Sequence, residues 1–190
     1  MSPSPTTQRG FTLTELLVVV ALVSILSGLA LVSLSNRWAQ ERLLAAARET
    51  HSWLEYQRRL AMKEGKACEI KIDTSKATLD PTGSSLTLLD GKTVSNSCSS
   101  QAPLFFRSIV PNGSSITLST APANATAVRF SFRGLSEITT STGTSNELVL
   151  QLNQADSNKQ RCIKIMSPLG LIRNGWAPVN TSPCNYSNSF

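Results

Sequence analysis

One carboxylate in this chain is placed to form an ion pair with a neighbouring molecule. Glu15 precedes an apolar run, residues 16–34, that is interrupted only by three serines and one glycine. A carboxylate in a membrane costs about 2.5–3.5 kcal/mol at mid-helix, so Glu15 needs either water or a cation. It can snorkel to the membrane interface, or it can neutralise a cation on a neighbouring subunit. The best such cation is a free α-amino group, made by cutting the chain between Gly10 and Phe11.

Four cysteines are the second set of residues with reactive potential. Cys68, Cys98, Cys162 and Cys184 all follow the apolar run, and none forms a C-x-x-C pair, so zinc binding and thioredoxin chemistry are poorly supported. Two disulfides are expected in an oxidising compartment, each stabilising by about 3 kcal/mol in the chain-entropy model. Proximity along the chain predicts Cys68–Cys98 and Cys162–Cys184. The alternative is four buried free thiols.

The remaining residues form no catalytic constellation. His51 is the only histidine, and Ser52 cannot face it because adjacent helical residues point in different directions. The aspartates beyond residue 66 are scattered, and the glycines form no phosphate-cradling pattern. We therefore expect a protein that is not an enzyme and that carries neither a metal nor a cofactor.

Length and composition limit the elements that position these residues. The chain has 190 residues, a formal net charge of +6 and only 16% charged residues, with Ser and Thr abundant. Residues 16–34 are close to the ~20 residues with which a helix crosses a bilayer. What remains suits one exported, β-rich domain of about 120 residues.

A single long helix is predicted to join the apolar run to this domain. No proline interrupts residues 11–64, and Gly65 is a plausible C-cap. Past the membrane, apolar and small residues recur at steps of three and four, which indicates an amphipathic helix with one buried face. The predicted face comprises Leu43, Ala47, Thr50, Leu54, Gln57 and Ala61, widened by Leu44, Ala46 and Trp53.

Beyond residue 66 the pattern changes to short β-favouring runs separated by turn-forming residues. Seven strands are predicted, at residues 68–72, 85–89, 104–109, 115–119, 127–132, 147–152 and 161–166. Residues 80–83 and 111–113 read as turns, and the Ser/Thr/Asn-rich residues 139–146 read as a loop. Alternation of apolar and polar residues within the runs indicates half-buried antiparallel strands. The predicted fold class is α+β.

The N-terminal residues carry a family resemblance. Residues 9–17, Arg-Gly-Phe-Thr-Leu-Thr-Glu-Leu-Leu, resemble the class III signal of type IV pilins and type II secretion pseudopilins. In that family a prepilin peptidase cuts after the glycine and methylates the new N-terminal Phe. The resemblance therefore implies cleavage between Gly10 and Phe11, N-methylation of Phe11, and an assembly role for Glu15. Many major pilins have a proline in the apolar part of this helix, so its absence favours a minor subunit.

The C-terminal part narrows the resemblance to the pseudopilin H and FimT-like minor pilin group. Residues 130–136, 148–152 and 162–173 are similar to the strands and the Gly-x-x-Arg ending of that group. FimT-like minor pilins are associated with DNA uptake through a basic motif that corresponds here to residues 170–173. The resemblance thus implies DNA contact for Arg173 of that motif. The basic charge of the chain suggests that Lys159, Arg161 and Lys164 form a patch with it, unless their charge is simply dispersed and solubilising.

Together these observations predict a four-part organisation. Residues 1–10 are a leader, 11–34 a transmembrane and assembly helix, 35–66 an amphipathic stalk helix, and 67–190 a periplasmic or extracellular domain. The resemblance implies a minor pilin at the priming or tip position, held in the bacterial inner membrane before it enters a fibre. The alternatives are a DNA-binding minor pilin for transformation and a type II secretion pseudopilin. The implied partners are other subunits, prepilin peptidase, membrane lipid and, in one alternative, DNA.

Overall fold

A computed structural model describes residues 12–81, 83, 85–87, 93–106, 116–155, 157–179, 181 and 183–186 of the chain. The side chains of residues 28–36, 86 and 87 are outside this description. The predicted turn at residues 111–113 also lies outside it.

One helix, α1, accounts for the first third of the structure. It runs from Leu13 to Glu64, a length of about 78 Å. Thr12 is its N-cap, and Gly65 ends it in the left-handed conformation, at a φ of 64°, with its N–H donating to the carbonyl of Ala61. A glycine suits this position because other residues adopt positive φ at a cost. The bounds are close to the predicted residues 11–64.

The two parts of α1 differ in what their side chains contact. From Leu13 to Leu26 every large apolar side chain is exposed. From Ala39 onward one face of the helix is buried, and the buried residues are Ala39, Leu43, Ala46, Ala47, Thr50, Leu54, Gln57 and Ala61. This set contains the six residues of the predicted face and Ala46, whereas Leu44 and Trp53, which were predicted to widen the face, are half-buried. Within the described residues, no helix has an 18-residue stretch apolar enough to be a membrane span. The predicted membrane segment stays a prediction.

Twelve strands follow the helix in the described part of the chain. They are β1 (Cys68–Asp73), β2 (Thr78–Asp80), β3 (Ser85–Thr87), β4 (Thr93–Ser95), β5 (Leu104–Phe105), β6 (Ile116–Ala121), β7 (Ala125–Phe130), β8 (Ser136–Thr140), β9 (Gly143–Ser145), β10 (Glu147–Gln154), β11 (Lys159–Met166) and β12 (Leu171–Pro178). They form a six-stranded sheet in the order β5-β2-β1-β7-β8-β9, a four-stranded sheet in the order β12-β11-β10-β6, and the hairpin β3-β4. All described strand pairs are antiparallel.

The second part of α1 packs against both large sheets, on β10, β11 and β12 of one and on β1 and β7 of the other. Each strand therefore turns alternate side chains toward the helix. The shared core includes Leu54, Ile70, Phe130, Leu150 and Ile163, all fully buried. The α+β fold, a long helix packed on antiparallel sheet, is confirmed.

Two parts of the strand prediction were wrong. Residues 139–146, predicted as a loop, form the end of β8, a tight turn and β9. Here Thr140 pairs with Gly143, and backbone pairing outweighs the low apolar content. The last strand was expected to end in Gly-x-x-Arg, but Gly170 lies in the turn before β12 and Arg173 lies inside that strand.

Candidate functional site

Glu15 lies in the first turn of α1, where the positive end of the helix dipole favours a carboxylate. Its backbone N–H donates to Oγ1 of Thr12 at 3.3 Å, and its side chain is exposed. Within the described residues no cation forms an ion pair with this carboxylate. Gly10 and Phe11, the residues of the predicted cleavage site, lie outside the described residues. The acid group is therefore available for a partner that the described residues do not supply.

The part of α1 that carries Glu15, from Leu13 to Leu26, leaves its large apolar side chains uncovered by the described chain. Its large side chains between Leu13 and Leu26 are exposed by 53% (Val19) to 77% (Leu13) on all sides of the helix. Fully burying one such side chain contributes about 1.5–3 kcal/mol. Ser24 and Ser27 satisfy their hydroxyls within the helix, by donating to the carbonyls of Val20 and Val23. The segment thus offers an almost purely apolar surface.

At the other end of α1, Arg58 binds two turns of the β domain. Its Nε donates to the carbonyl oxygen of Gly134 at 2.9 Å, in the turn between β7 and β8. Its Nη2 lies 3.5 Å from the carbonyl oxygen of Leu169, in the turn between β11 and β12. Glu55 lies one turn earlier in the helix, and its Oε1 is 3.7 Å from Nη1 of the same guanidinium. Arg58 therefore ties the helix to both sheets at once.

The two turns also contact each other directly. The N–H of Ser136 donates to the carbonyl of Pro168 at 2.8 Å, and the hydroxyl of Ser167 donates to the carbonyl of Ser136 at 2.8 Å. Gly134 and Gly170 both have positive φ, and a Cβ on Gly170 would collide with the carbonyl oxygen of Gly134. Gly170 is thus required by a close backbone contact, whereas a Cβ on Gly134 would meet the side chains of Met62 and Arg58.

The four cysteines form two disulfides, Cys68–Cys98 and Cys162–Cys184. These are the pairs that proximity along the chain predicted. Asn96 reinforces the first disulfide, because its side-chain oxygen accepts from the N–H of Glu69 while its nitrogen donates to the carbonyl of Glu69. The segment that carries β3 and β4 is thereby fastened to β1.

The second disulfide holds the C-terminal residues 184–186 against the four-stranded sheet. Asn185 exchanges two backbone hydrogen bonds with Trp176, at 3.0 and 2.8 Å. The chain can lie this close because Gly175 has no side chain: a Cβ there would stand 2.6 Å from both the Asn185 carbonyl oxygen and Cδ1 of Tyr186. We call residues 184–186 the C-terminal strap. It covers one open edge of the sheet, at β12.

The strap places Tyr186 in an environment that suppresses its ionisation. Burial raises the pKa of Tyr186 to about 12, and the nearby Glu147 carboxylate adds to the rise. The folded-state pKa thus lies above the ordinary value of 10.0, so the stabilisation that Tyr186 contributes is complete below pH 10. It is lost as the pH rises through about 12.

Titration of tyrosinate absorbance should therefore show a step with a midpoint near pH 12 that is absent in Tyr186→Phe. Unfolding the full chain in denaturant should move this step to about pH 10. A Tyr186 step near pH 10 in the folded chain would contradict the burial of the phenol under the strap.

The four basic residues implied in DNA contact do not share one surface. Side chains of one strand alternate between faces, so Lys159 and Arg161 lie on one face of β11 and Lys164 on the other. The Nζ of Lys159 is 5.0 Å from the centre of the Trp176 ring. Arg173 is the cross-strand neighbour of Lys164. The structure therefore brings these residues together only as two separate pairs.

Two of these cations, Arg161 and Lys164, also interact with groups of the same chain. Desolvation lowers the pKa of the half-buried Arg161, with the Glu41 carboxylate of α1 opposing the shift and Arg48 adding to it. Lys164 forms an ion pair with Glu147 at 2.5 Å and lies 5.6 Å from the centre of the Tyr186 ring. DNA binding by this set stays a prediction.

A groove of about 720 Å³ lies on the face of the six-stranded sheet that points away from α1. One of its two lining cations, Arg129, is bound to Glu69 at 2.8 Å and to Glu137 at 3.5 Å, so these three charges largely satisfy each other. In the described part of the chain, no three His, Cys, Asp or Glu residues are grouped so that they can hold a metal ion. His51 lies on α1, half-buried.

Comparison with known families agrees with this geometry. Residues 5–31 match the prokaryotic N-terminal methylation motif, which contains Gly10, Phe11 and Glu15. Residues 46–168, more than half of the chain, match the type II transport protein GspH. That match runs from the buried part of α1 to the turn between β11 and β12. Searches of curated proteins and of solved structures returned no significant match.

Both matches and the fold point to one family of fibre subunits. The two matched regions contain the exposed apolar first part of α1 with a carboxylate in its first turn, and most of the antiparallel β domain that packs on its second part. The chain therefore belongs to the pilin and pseudopilin family, as a member of the GspH type II transport proteins.

Proposed function

We propose that this chain is a minor subunit that primes or tips a pilus or pseudopilus and enters it through its N-terminal helix. The observation that carries the proposal is the division of α1, whose first part is apolar and exposed while its second part is buried in the β domain. A helix that is hydrophobic on all sides is stable in a membrane or in a bundle of similar helices. The same segment can therefore hold the subunit in the bilayer and later pack in the fibre.

The pathway that we propose begins in the bacterial inner membrane. Residues 11–34 span the bilayer once, with the β domain in the periplasm, and prepilin peptidase cuts between Gly10 and Phe11 and methylates Phe11. The oxidising periplasm allows the two disulfides to form. Glu15 then neutralises the N-terminal amine of a neighbouring subunit, which sets the axial register of the helices. The partners are other pilin-type subunits, the peptidase and membrane lipid.

The proposal is tested by determining whether the N-terminus of the chain has been processed before and after it enters the fibre. We expect mass spectrometry of the full-length protein, purified from its host, to find an N-terminus at N-methylated Phe11. In a host that lacks prepilin peptidase the chain should keep residues 1–10 and be absent from sheared fibre or pseudopilus fractions. An uncut chain that enters the fibre normally would contradict the proposal.

A further inference from the structure

The β domain begins almost directly where the apolar run of α1 ends. The run ends at residue 34, and Ala39 is already buried. The side-chain Nε2 of Gln40 donates to Oδ1 of Asn158 at 2.9 Å, in the turn between β10 and β11. At 1.5 Å per residue, Gln40 lies about 9 Å along the helix from residue 34. The headgroup layer of a bilayer is about 5–8 Å thick, so a bilayer spanned by residues 11–34 brings its headgroups to this turn.

The helix carries cations and a tryptophan at this level. Arg37 and Trp38 precede the first buried residue of the domain-bound helix, and both are exposed, Trp38 by 59%. Arg42 follows one turn after Trp38 and is half-buried. Helical side chains lean toward the N-terminus of their helix, so Arg42 leans toward the apolar run. Tryptophan is enriched at membrane–water interfaces, and arginine reaches the headgroups while its stem covers apolar surface.

Strand β11 adds a further cation beside the helix. Ile163 and Ile165 of this strand belong to the core that α1 covers. Alternate residues of a strand point the same way, so Lys159 and Arg161 lie on this face too. Arg161 is close enough to the Glu41 carboxylate of α1 for the two charges to interact. Lys159, at the start of β11, therefore lies next to the turn that contacts the helix.

We call four of these residues the basal surface: Arg37, Trp38, Arg42 and Lys159. Within the described residues, none of its three cations forms an ion pair. The Nζ of Lys159 is 5.0 Å from the centre of the Trp176 ring, which orients the ammonium group without neutralising it. Residues 37–48 and 155–161 together contain five cations and two carboxylates. The base of the domain is therefore complementary to an anionic surface.

The position of these cations along the chain is unusual for an exported domain. Close to a membrane span, Lys and Arg are usually in excess on the cytoplasmic side. The proposed leader contains one cation, Arg9, whereas residues 37–48 contain three arginines. The proposed topology thus puts the larger positive charge on the outer side, against this preference. Cations that are present there in spite of it indicate a binding role at the outer face of the membrane.

We propose that the basal surface rests on the phosphate groups of anionic phospholipids, such as phosphatidylglycerol, before the subunit is assembled. Trp38 then lies in the headgroup layer, and the cations bind phosphates around it. Each cation near an anionic membrane strengthens binding about fivefold. A DNA duplex also carries phosphates, but the anionic bilayer beside the basal surface would repel it. The inference rests on the proposed function, because it requires the apolar run to lie in the membrane.

Photo-crosslinking of the full-length chain in reconstituted bilayers tests the inference. A photoreactive p-benzoylphenylalanine replaces Ala155, exposed in the turn at the base, Leu169, exposed in the turn between β11 and β12, or Val19 in the apolar run. The bilayers contain phosphatidylcholine alone or mixed with phosphatidylglycerol. We expect Val19 to crosslink to lipid in both bilayers and Leu169 in neither. The lipid product of Ala155 should be at least about tenfold greater with phosphatidylglycerol, and added salt should lower it.

Matched variants test the contribution of the three cations. The test variant removes the positive charges of the basal surface: Arg37→Gln, Arg42→Gln and Lys159→Gln. The control variant removes three exposed cations near the other end of α1: Arg59→Gln, Lys63→Gln and Lys66→Gln. The test variant should lower the Ala155 product to the amount seen in phosphatidylcholine, and the control should leave it unchanged. Both variants should keep the two disulfides and the Val19 product.

The outcomes separate the inference from the proposed function. Equal Ala155 products in the two bilayers would overturn the headgroup contact, and so would equal effects of the two variants. Duplex DNA should leave the Ala155 product unchanged at physiological salt, and displacement of the lipid by DNA would also overturn the assignment. In each of these cases the Val19 product would leave the membrane helix of the proposed function standing. Absence of a lipid product from Val19 would count against the proposed function itself and, with it, against the inference.

Discussion

Replacement of Glu15 by alanine should nearly abolish incorporation of this chain into its fibre while leaving cleavage after Gly10 intact. Alanine removes the carboxylate but keeps the helix, because Ala has the highest helix propensity. The proposed cleavage site, Gly10–Phe11, is unchanged in the variant. The expected product is a fully processed subunit that stays in the membrane.

The size of this effect follows from the environment that assembly creates. The apolar side chains from Leu13 to Leu26 exclude water once they are packed against other helices. An amine of a neighbouring subunit that is buried there without Glu15 remains an unpaired charge. Breaking a buried ion pair by removing one partner costs about 3–5 kcal/mol, which corresponds to a loss of more than about a hundredfold in the assembly equilibrium.

The measurement is the ratio of fibre-bound to membrane-bound mature chain in Glu15→Ala and in wild type. Glu49→Ala is a matched control, because Glu49 is also an exposed helical glutamate but lies on the part of α1 that packs on the β domain. It should assemble normally. Glu15→Gln, which keeps the shape without the charge, should resemble Glu15→Ala. Normal incorporation of either Glu15 variant would argue against the role of Glu15 in setting register.

The second large effect is expected from Gly170→Ala, which should destabilise the β domain by about 2–5 kcal/mol. Gly170 has a φ of 66°, where a Cβ costs about 1–2 kcal/mol. The added methyl group would also collide with the carbonyl oxygen of Gly134 and stand 3.2 Å from Nε of Arg58. Overpacking of this kind costs a further ~1–3 kcal/mol. The substitution therefore disturbs the hydrogen bonds by which Arg58 joins the helix to both sheets.

Gly65→Ala separates the two contributions. Gly65 has nearly the same φ, 64°, but a Cβ there would have no atom within 4 Å. Gly65→Ala should therefore lower the free energy of unfolding by only about 1–2 kcal/mol. Denaturant unfolding of the detergent-solubilised full chain, followed by tryptophan fluorescence, gives both values. Equal destabilisation by the two variants would mean that the turns at Gly134 and Gly170 move apart at no cost.

The long helix was predictable because its signals are local. Absence of proline over residues 11–64, the C-cap Gly65 and the three- and four-residue spacing act within a few turns of the same element. The predicted buried face from Leu43 to Ala61 is accordingly the face that packs on the sheets. The family motif around Gly10 and Glu15 is also local, which explains how a short segment indicated the family.

The short strands were less predictable because pairing partners create them. β2, β4 and β9 have three residues each, too few for alternation to be visible. β12 contains Asn174, Gly175 and Pro178, which are uncommon in strands, yet it pairs with β11 along its whole length. Gly175, which weakens a strand taken alone, allows the C-terminal strap to lie across it.

Sequence alone determined the elements whose causes lie within one segment: the continuous helix, its apolar first part, the carboxylate in its first turn and the strand-rich domain that follows. Tertiary structure decided the contacts between distant segments. Arg58 reads as a solvated helix residue in the sequence, but it binds carbonyls that lie 76 and 111 residues away. Likewise, Lys159, Arg161, Lys164 and Arg173 are close in sequence and fall on two faces. The physical reason is that strand alternation and sheet pairing, rather than distance along the chain, determine which side chains meet.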